Sequence, residues 1–153
     1  MMEIKQISIL NETDLHYKVV HFIRNYLKEP IIIPGLGEYQ STHHLRNDAF
    51  QKGYLGGQPD IILLNYHTRY NGLCVEFKSP SGKGVVSEKQ NNYLNALENN
   101  NYKTLISNDY DEIIVQIMKY SQGIRYLCKY CKRKFTRTHT RDKHYQYFHR
   151  INK

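Results

Sequence analysis

Long apolar runs, cysteines and acidic residues toward the C-terminus are what this 153-residue chain has least of. No stretch approaches the roughly 20 consecutive apolar residues a membrane helix needs, and Met1 to Leu10 lacks the plan of a signal peptide. The expectation is a protein with no membrane partner, kept inside a cell, cytoplasmic or nuclear. Three cysteines make no disulfide framework; they fit a reducing compartment and a metal site. Ser79-Pro80-Ser81-Gly82-Lys83-Gly84 lacks the G-x-x-x-x-G-K-[S/T] spacing, so no nucleotide cofactor is expected. No internal repeat or low-complexity tract is present.

What is there is an ordinary soluble composition, 40% apolar and 24% charged, in a length that holds one domain and a small appendage. Charge is segregated. Residues 1–120 carry 12 Lys+Arg against 13 Asp+Glu, or −1, whereas residues 121–153 carry 10 against 1, or +9. A basic tail of this kind suggests a polyanion partner, most often nucleic acid. Abundant Asn, Tyr, Ile and Lys hint at an AT-rich coding genome, as in some viruses and protists, which makes a virus-infected host one setting.

The stretch Gly56 to Lys78 organises the first 120 residues. Ile61 to Leu64 is continuously apolar, like a strand covered on both faces, with Asp60 at its mouth. Leu73, Val75 and Phe77 alternate with Cys74, Glu76 and Lys78 in a second strand. The Tyr66 to Gly72 turn, with Asn71-Gly72 as its signal, would bring the two together. Two carboxylates and a lysine then meet at one end of a hairpin, costly to bury without a purpose. Phosphodiester hydrolysis supplies one: Asp60 and Glu76 hold Mg2+ or Mn2+, and Lys78 polarises the water or steadies the phosphorane. Cys74 reads as a small buried strand residue.

Around this hairpin, a strand is expected about Ile7 to Leu10. Asn11 caps a helix reaching about Lys28, with Leu15, Val19, Phe22, Ile23, Tyr26 and Leu27 as its apolar stripe and Glu12 facing inward. Ile31 to Ile33 reads as a strand, followed by a break at Pro34-Gly35-Leu36-Gly37. Glu38 is either a further metal ligand or a surface residue. His43 and His44, taken as strand residues, would point to opposite sides, with Arg46 near phosphate. A short helix or loop spans Leu45 to Lys52. Ser87-Glu88-Lys89-Gln90 is a capping box opening a helix packed through Val86, Tyr93, Leu94 and Leu97. Tyr102 to Ser107 is a further strand, and Asp109 to Tyr120 a final helix.

The order Gly57-Gln58-Pro59-Asp60, Val75-Glu76-Phe77-Lys78-Ser79-Pro80, then Ser87-Glu88-Lys89-Gln90 resembles the PD-(D/E)xK nuclease superfamily, in particular its VRR-NUC branch, over roughly residues 12–120. The resemblance implies an α/β, restriction-endonuclease-like mixed sheet flanked by helices. It makes Asp60 and Glu76 the metal carboxylates, Lys78 the catalytic lysine and Gln90 the helix glutamine near the site. Glu12 matches the family's first-helix glutamate; as a residue it reads equally as an acid favoured by the helix dipole. Some members of the branch are junction resolvases that work as dimers, so a homodimer is an expectation, although no dimer surface is identifiable. Lys83 lies in a loop suited to straddling a DNA backbone.

Ser121-Gln122-Gly123 opens a linker, 121–125, to a second unit, 126–153. Cys128-x2-Cys131-x12-His144-x4-His149 has the ligand types and spacing of a tetrahedral Zn2+ site, which would fold a unit otherwise too small to have a core. The unit resembles a ββα C2H2 zinc finger, with Tyr126 and Phe135 as core aromatics. It departs at Arg141, where that family places leucine; Tyr145 or Phe148 is the expected compensation. By resemblance Arg137, Thr140 and Lys143 take the base-contacting helix positions, while Lys129, Lys132, Arg133, Lys134 and Arg150 lie near phosphates. The expected function is a metal-dependent endodeoxyribonuclease, structure-specific for junctions or flaps in repair, recombination or replication, with the finger as its DNA tether. The alternative is a non-catalytic DNA-binding or regulatory protein on a nuclease-like fold.

Overall fold

The structure is a computed structural model and describes residues 8–35, 37 and 40–149. Helix α1, Glu12–Tyr26, begins where the Asn11 side chain accepts from the Asp14 amide at 2.9 Å, replacing one orphan partner of the first turn. Leu15, Val19 and Ile23, at four-residue spacing, are fully buried, each worth about 1.5–3 kcal/mol in apolar burial. Tyr26 departs from the expected stripe: it is exposed and stacks on Phe22 at 5.0 Å. Ser8–Leu10 form no strand, and Ile7 lies outside the described residues.

The main sheet has four strands in spatial order β1 (Ile32–Pro34), β2 (Ile61–Leu63), β3 (Leu73–Phe77) and β4 (Lys103–Ser107). β1 and β2 pair antiparallel, as do β2 and β3, with Ile61 opposite Val75. β4 joins parallel, Glu76 beside Ile106, because α3 (Glu88–Asn99) carries the chain back across the sheet. The connection before β3 is no tight turn. It holds buried Asn65 and His67, and His67 bridges to Ile124. All of β3 is buried, so alternation along it divides two covered faces rather than core from solvent. On one face Leu73, Val75 and Phe77 join a core with α1 and with Ile113, Ile117 and Tyr120 of α4 (Tyr110–Ser121).

The segment α2, His43–Gln51, is a helix capped by Thr42 with none of its residues buried. His43 and His44 therefore follow helical rather than strand geometry, and both are exposed. Ser121 belongs to α4, and Ile124 is buried in the main core, so the segment after α4 is packed down. Beyond it, β5 (Tyr126–Leu127) and β6 (Lys134–Phe135) pair antiparallel, and α5 (Thr138–Phe148) completes a ββα unit.

Candidate active site and metal centre

Asp60 is set from two directions. Its carbonyl accepts the Gly35 amide at 2.8 Å, and its carboxylate Oδ2 accepts the Phe77 amide at 2.7 Å. Gly35 lies so close to the Pro59 carbonyl that any Cβ would strike it, so a bulkier residue would push Asp60 off β3. Glu76 is 2% exposed, and its Oε1 accepts from Lys78 Nζ at 2.8 Å and from Gln90 Nε2. Lys78 Nζ also reaches Gln90 Oε1 at 3.2 Å. That oxygen accepts the Ser87 amide at 2.9 Å, completing the capping box of α3. Gln90 is therefore both the helix cap and the clamp on Glu76 and Lys78.

Glu12, Gly57, Gln58, Asp60 and Gln90 line one cleft of about 490 Å3. Glu12 does not point into the core as expected; it is exposed at the mouth of that cleft. Gly57 has φ +97°, and a Cβ there would come within 2.5 Å of the Lys89 carbonyl, so the glycine turn seats directly on the start of α3. Burial raises the Glu76 carboxyl above its ordinary range; the Asp60 and Glu12 carboxylates push the same way, against the hydrogen bond from Lys78. Carboxylates that hinder one another's ionisation beside a cleft are the condition a divalent cation relieves, and an all-oxygen donor set suits Mg2+ or Mn2+. Lys83 stands exposed in the loop after Lys78, and Gly84 folds back against the Lys78 methylenes. Glu38 lies outside the described residues.

The second cluster gathers Cys128, Cys131, His144 and His149, whose ligand atoms all lie within 4.8 Å of one another. Cys131 Sγ is 3.2 Å from His144 Nε2, Cys128 Sγ 3.4 Å from His149 Nε2, and the two Nε2 atoms are 3.3 Å apart. A zinc tetrahedron with bonds of about 2.0 Å to nitrogen and 2.3 Å to sulfur has edges of about 3.3–3.8 Å, so the four ligands fit it. The knuckle between the cysteines closes through Lys132 at φ +60°, with the Lys132 amide bonded to the Cys128 carbonyl and the Cys128 amide to the Arg133 carbonyl.

Arg141 is the residue the sequence left unexplained. Its guanidinium lies over the Tyr126 and Tyr145 rings, at 5.9 and 5.6 Å, and so replaces the expected leucine with a flat cation between two aromatics. It then reaches out of the ββα unit, both terminal nitrogens 2.8 Å from the Glu29 carboxylate after α1. Of the two aromatics named for that place, Tyr145 lies under the Arg141 guanidinium, while Phe148, 68% exposed, meets the His144 ring at 4.9 Å. Arg137 at the N-cap of α5 and Thr140 and Lys143 within it lie exposed at three-residue spacing, and Lys129, Lys132, Arg133 and Lys134 are exposed near the knuckle; Arg150 lies outside the described residues. Gln58 lines the cleft and donates to the Tyr93 hydroxyl at 3.2 Å, and Lys89 also lines it. Sequence reasoning gave neither a role, although both flank the motif residues.

Residues 38–108 match the VRR-NUC domain family. The matched segment contains Asp60, Glu76, Lys78 and Gln90, while Glu12 and the Cys/His cluster lie outside it. A solved structure described as a VRR_NUC domain protein has the same fold at 19% sequence identity, with a TM-score of 0.60, over 74% of this chain and 89% of that one. No curated protein matches the chain. The mixed sheet with its flanking helices thus matches the fold of that solved protein; Asp60 sits just before β2, Glu76 on β3, Lys78 just after β3 and Gln90 on α3, with Asp60 and Gln90 lining the cleft and Glu76 and Lys78 bonded to Gln90.

Proposed function

We propose that the chain is a metal-dependent endodeoxyribonuclease in which Asp60 and Glu76 hold Mg2+ or Mn2+. The observation that carries this reading is the bonded group Glu76, Lys78 and Gln90 beside Asp60, at a cleft that Asp60 and Gln90 line, within the segment that matches the VRR-NUC family. A bound divalent cation would neutralise the scissile phosphate and lower the pKa of its water. The chain's own residues do the rest. Gln90 holds the Glu76 carboxylate and the Lys78 ammonium in register, and the Phe77 amide fixes Asp60. Lys78 Nζ, already at 2.8 Å from Glu76, is the donor placed to meet charge that develops on a phosphate oxygen. Glu12 supports from the mouth of the cleft.

The finger, with Zn2+ on Cys128, Cys131, His144 and His149, grips DNA through Arg137, Thr140 and Lys143, while Lys132, Arg133 and Lys134 lie near phosphates. One finger spans about three base pairs, so it tethers rather than selects a site. Purified Asp60→Ala and Lys78→Ala proteins should lose Mg2+-dependent cleavage of DNA and keep DNA binding. Cleavage that persists in both variants would overturn the assignment. Four-way junction, flap, nicked and linear duplex substrates, cut side by side, test the expected structure specificity.

A further inference from the structure

At the end of the sheet away from the carboxylates, β3 begins at Leu73 beside Lys103. The three residue steps from there to Glu76 cover roughly 10 Å. Here His67, Arg69, Lys103, Lys119, Tyr120 and Arg125 line a cavity of about 330 Å3. Four of these are cations, and no acidic residue lines the cavity. Among the described residues none of the four forms an ion pair. Lys103 Nζ donates to Gln116 Oε1, and Arg125 Nη1 to the Gln122 and Ile124 carbonyls. Four like charges around one hollow repel one another, and an anion removes that repulsion.

The cavity is assembled by specific bonds. His67 Nδ1 accepts the Arg69 and Tyr70 amides at 3.0 and 3.1 Å, and its ring stacks on Tyr120 at 4.4 Å. This fixes the loop that carries Arg69 against the helix that carries Lys119. The Thr68 amide donates to the Gly123 carbonyl and the Arg125 amide to the Tyr66 carbonyl, which fixes the segment that carries Arg125. Gly123 lies so close to His67 that a Cβ would strike the imidazole. Burial lowers the His67 pKa, and the charges of Arg125, Arg69 and Lys103 add to it, so their field converges on this spot. The Tyr120 hydroxyl is buried and has no hydrogen-bond partner among the described residues, and burial keeps its proton on. It is a donor in want of an acceptor.

We propose that this cavity is a second phosphate-binding site, which holds a backbone phosphate of DNA away from the scissile bond. It rests on the reading of DNA as this protein's substrate. A backbone rather than a free anion is favoured because the cations run on toward the finger. Lys134 of β6 lies over the Tyr66 ring at 5.1 Å, and Tyr66 in turn accepts the Arg125 amide at 2.9 Å.

The test is duplex binding by the full-length, zinc-loaded chain over a salt series without added Mg2+. Each lost phosphate contact makes the slope of log K against log salt shallower by about 0.9. Arg69→Ala/Lys119→Ala should therefore lose about 1.8 of slope. Lys119→Ala alone, on the exposed side of α4, should lose about 0.9 and guards against misfolding of the double variant. An unchanged slope in folded variants overturns this site and leaves the nuclease reading standing, whereas a wild-type chain that binds no DNA overturns both. Inorganic phosphate, titrated against the Thr68 and Gly123 amide resonances, is the second arm. Shifts there together with an unchanged DNA slope would mean a free phosphoryl ligand and overturn the DNA assignment.

Discussion

The carboxylate site and the Cys/His site each bring together groups that repel, and the chain holds them in opposite ways. Asp60 just before β2 and Glu76 on β3 stand beside apolar neighbours that form the main core, and their hydrogen-bond partners include protein groups: the Phe77 amide, Lys78 and Gln90. The C-terminal ββα unit has strands of two residues each, and only His144 of α5 is buried. Its centre is the ligand set itself. The first site is set on a fold with an apolar core of its own, whereas the second unit has little besides its Cys/His cluster at its centre.

That contrast can be broken most sharply by removing metal. Zinc chelation should unfold α5 and the knuckle, with loss of helical circular dichroism and of dispersed finger resonances, since structural zinc contributes about 10–16 kcal/mol of apparent binding energy in such units. Mg2+ removal should leave the spectrum unchanged. Equal loss of structure in both would erase the distinction. A middle-sized effect sharpens it: Mg2+ at about 100 times its Kd should stabilise the wild-type domain by about 2.7 kcal/mol, read as a rise in Tm. Asp60→Asn should show no such rise, and an equal rise would place the ion elsewhere.

The smallest effect lies where the two regions touch. The hydrogen bond from Arg141 holds the Glu29 carboxyl below its ordinary range. A depressed carboxyl stabilises fully above its unfolded value of 4.5, and the contribution is lost as pH falls through the lower folded value. Glu29→Gln at neutral pH should reproduce that loss without protonating the zinc ligands. Because Glu29 is largely exposed, the effect should be at most about 1 kcal/mol, seen as faster amide exchange at Tyr126 and Tyr145 with zinc retained. Unchanged exchange would mean that the ion pair holds nothing.

How much of this was legible in the sequence depends on how far apart the partners lie along the chain. Asn11 capping α1, the Ser87–Gln90 capping box and the Cys/His spacing join residues a few positions apart, and each can be read from side-chain types alone. Gln90 was half legible: the cap is local, but its hold on Glu76 needs α3 to cross the sheet. The strand reading of His43 and His44 failed because the Thr42 cap outweighed the polar pattern. The Tyr66 to Gly72 connection does join an antiparallel pair, but the anchoring of the chain around it, through Asn65 and His67, depends on distant partners. Arg141 and Glu29 are 112 positions apart, beyond the reach of any local rule.

The sequence by itself determined which atoms could bind a cation, where helices begin, and that the positive charge gathers in the last residues, because these follow from residue type and short spacing. Only the tertiary structure decided that both faces of β3 are covered, which buries Glu76 and raises its pKa. It also decided that Arg141 of the ββα unit pairs with Glu29 at the end of α1, and that Arg69, Lys103, Lys119 and Arg125 surround one hollow. Burial and Coulomb energy depend on which distant segments exclude water from the same place, and no single segment carries that information.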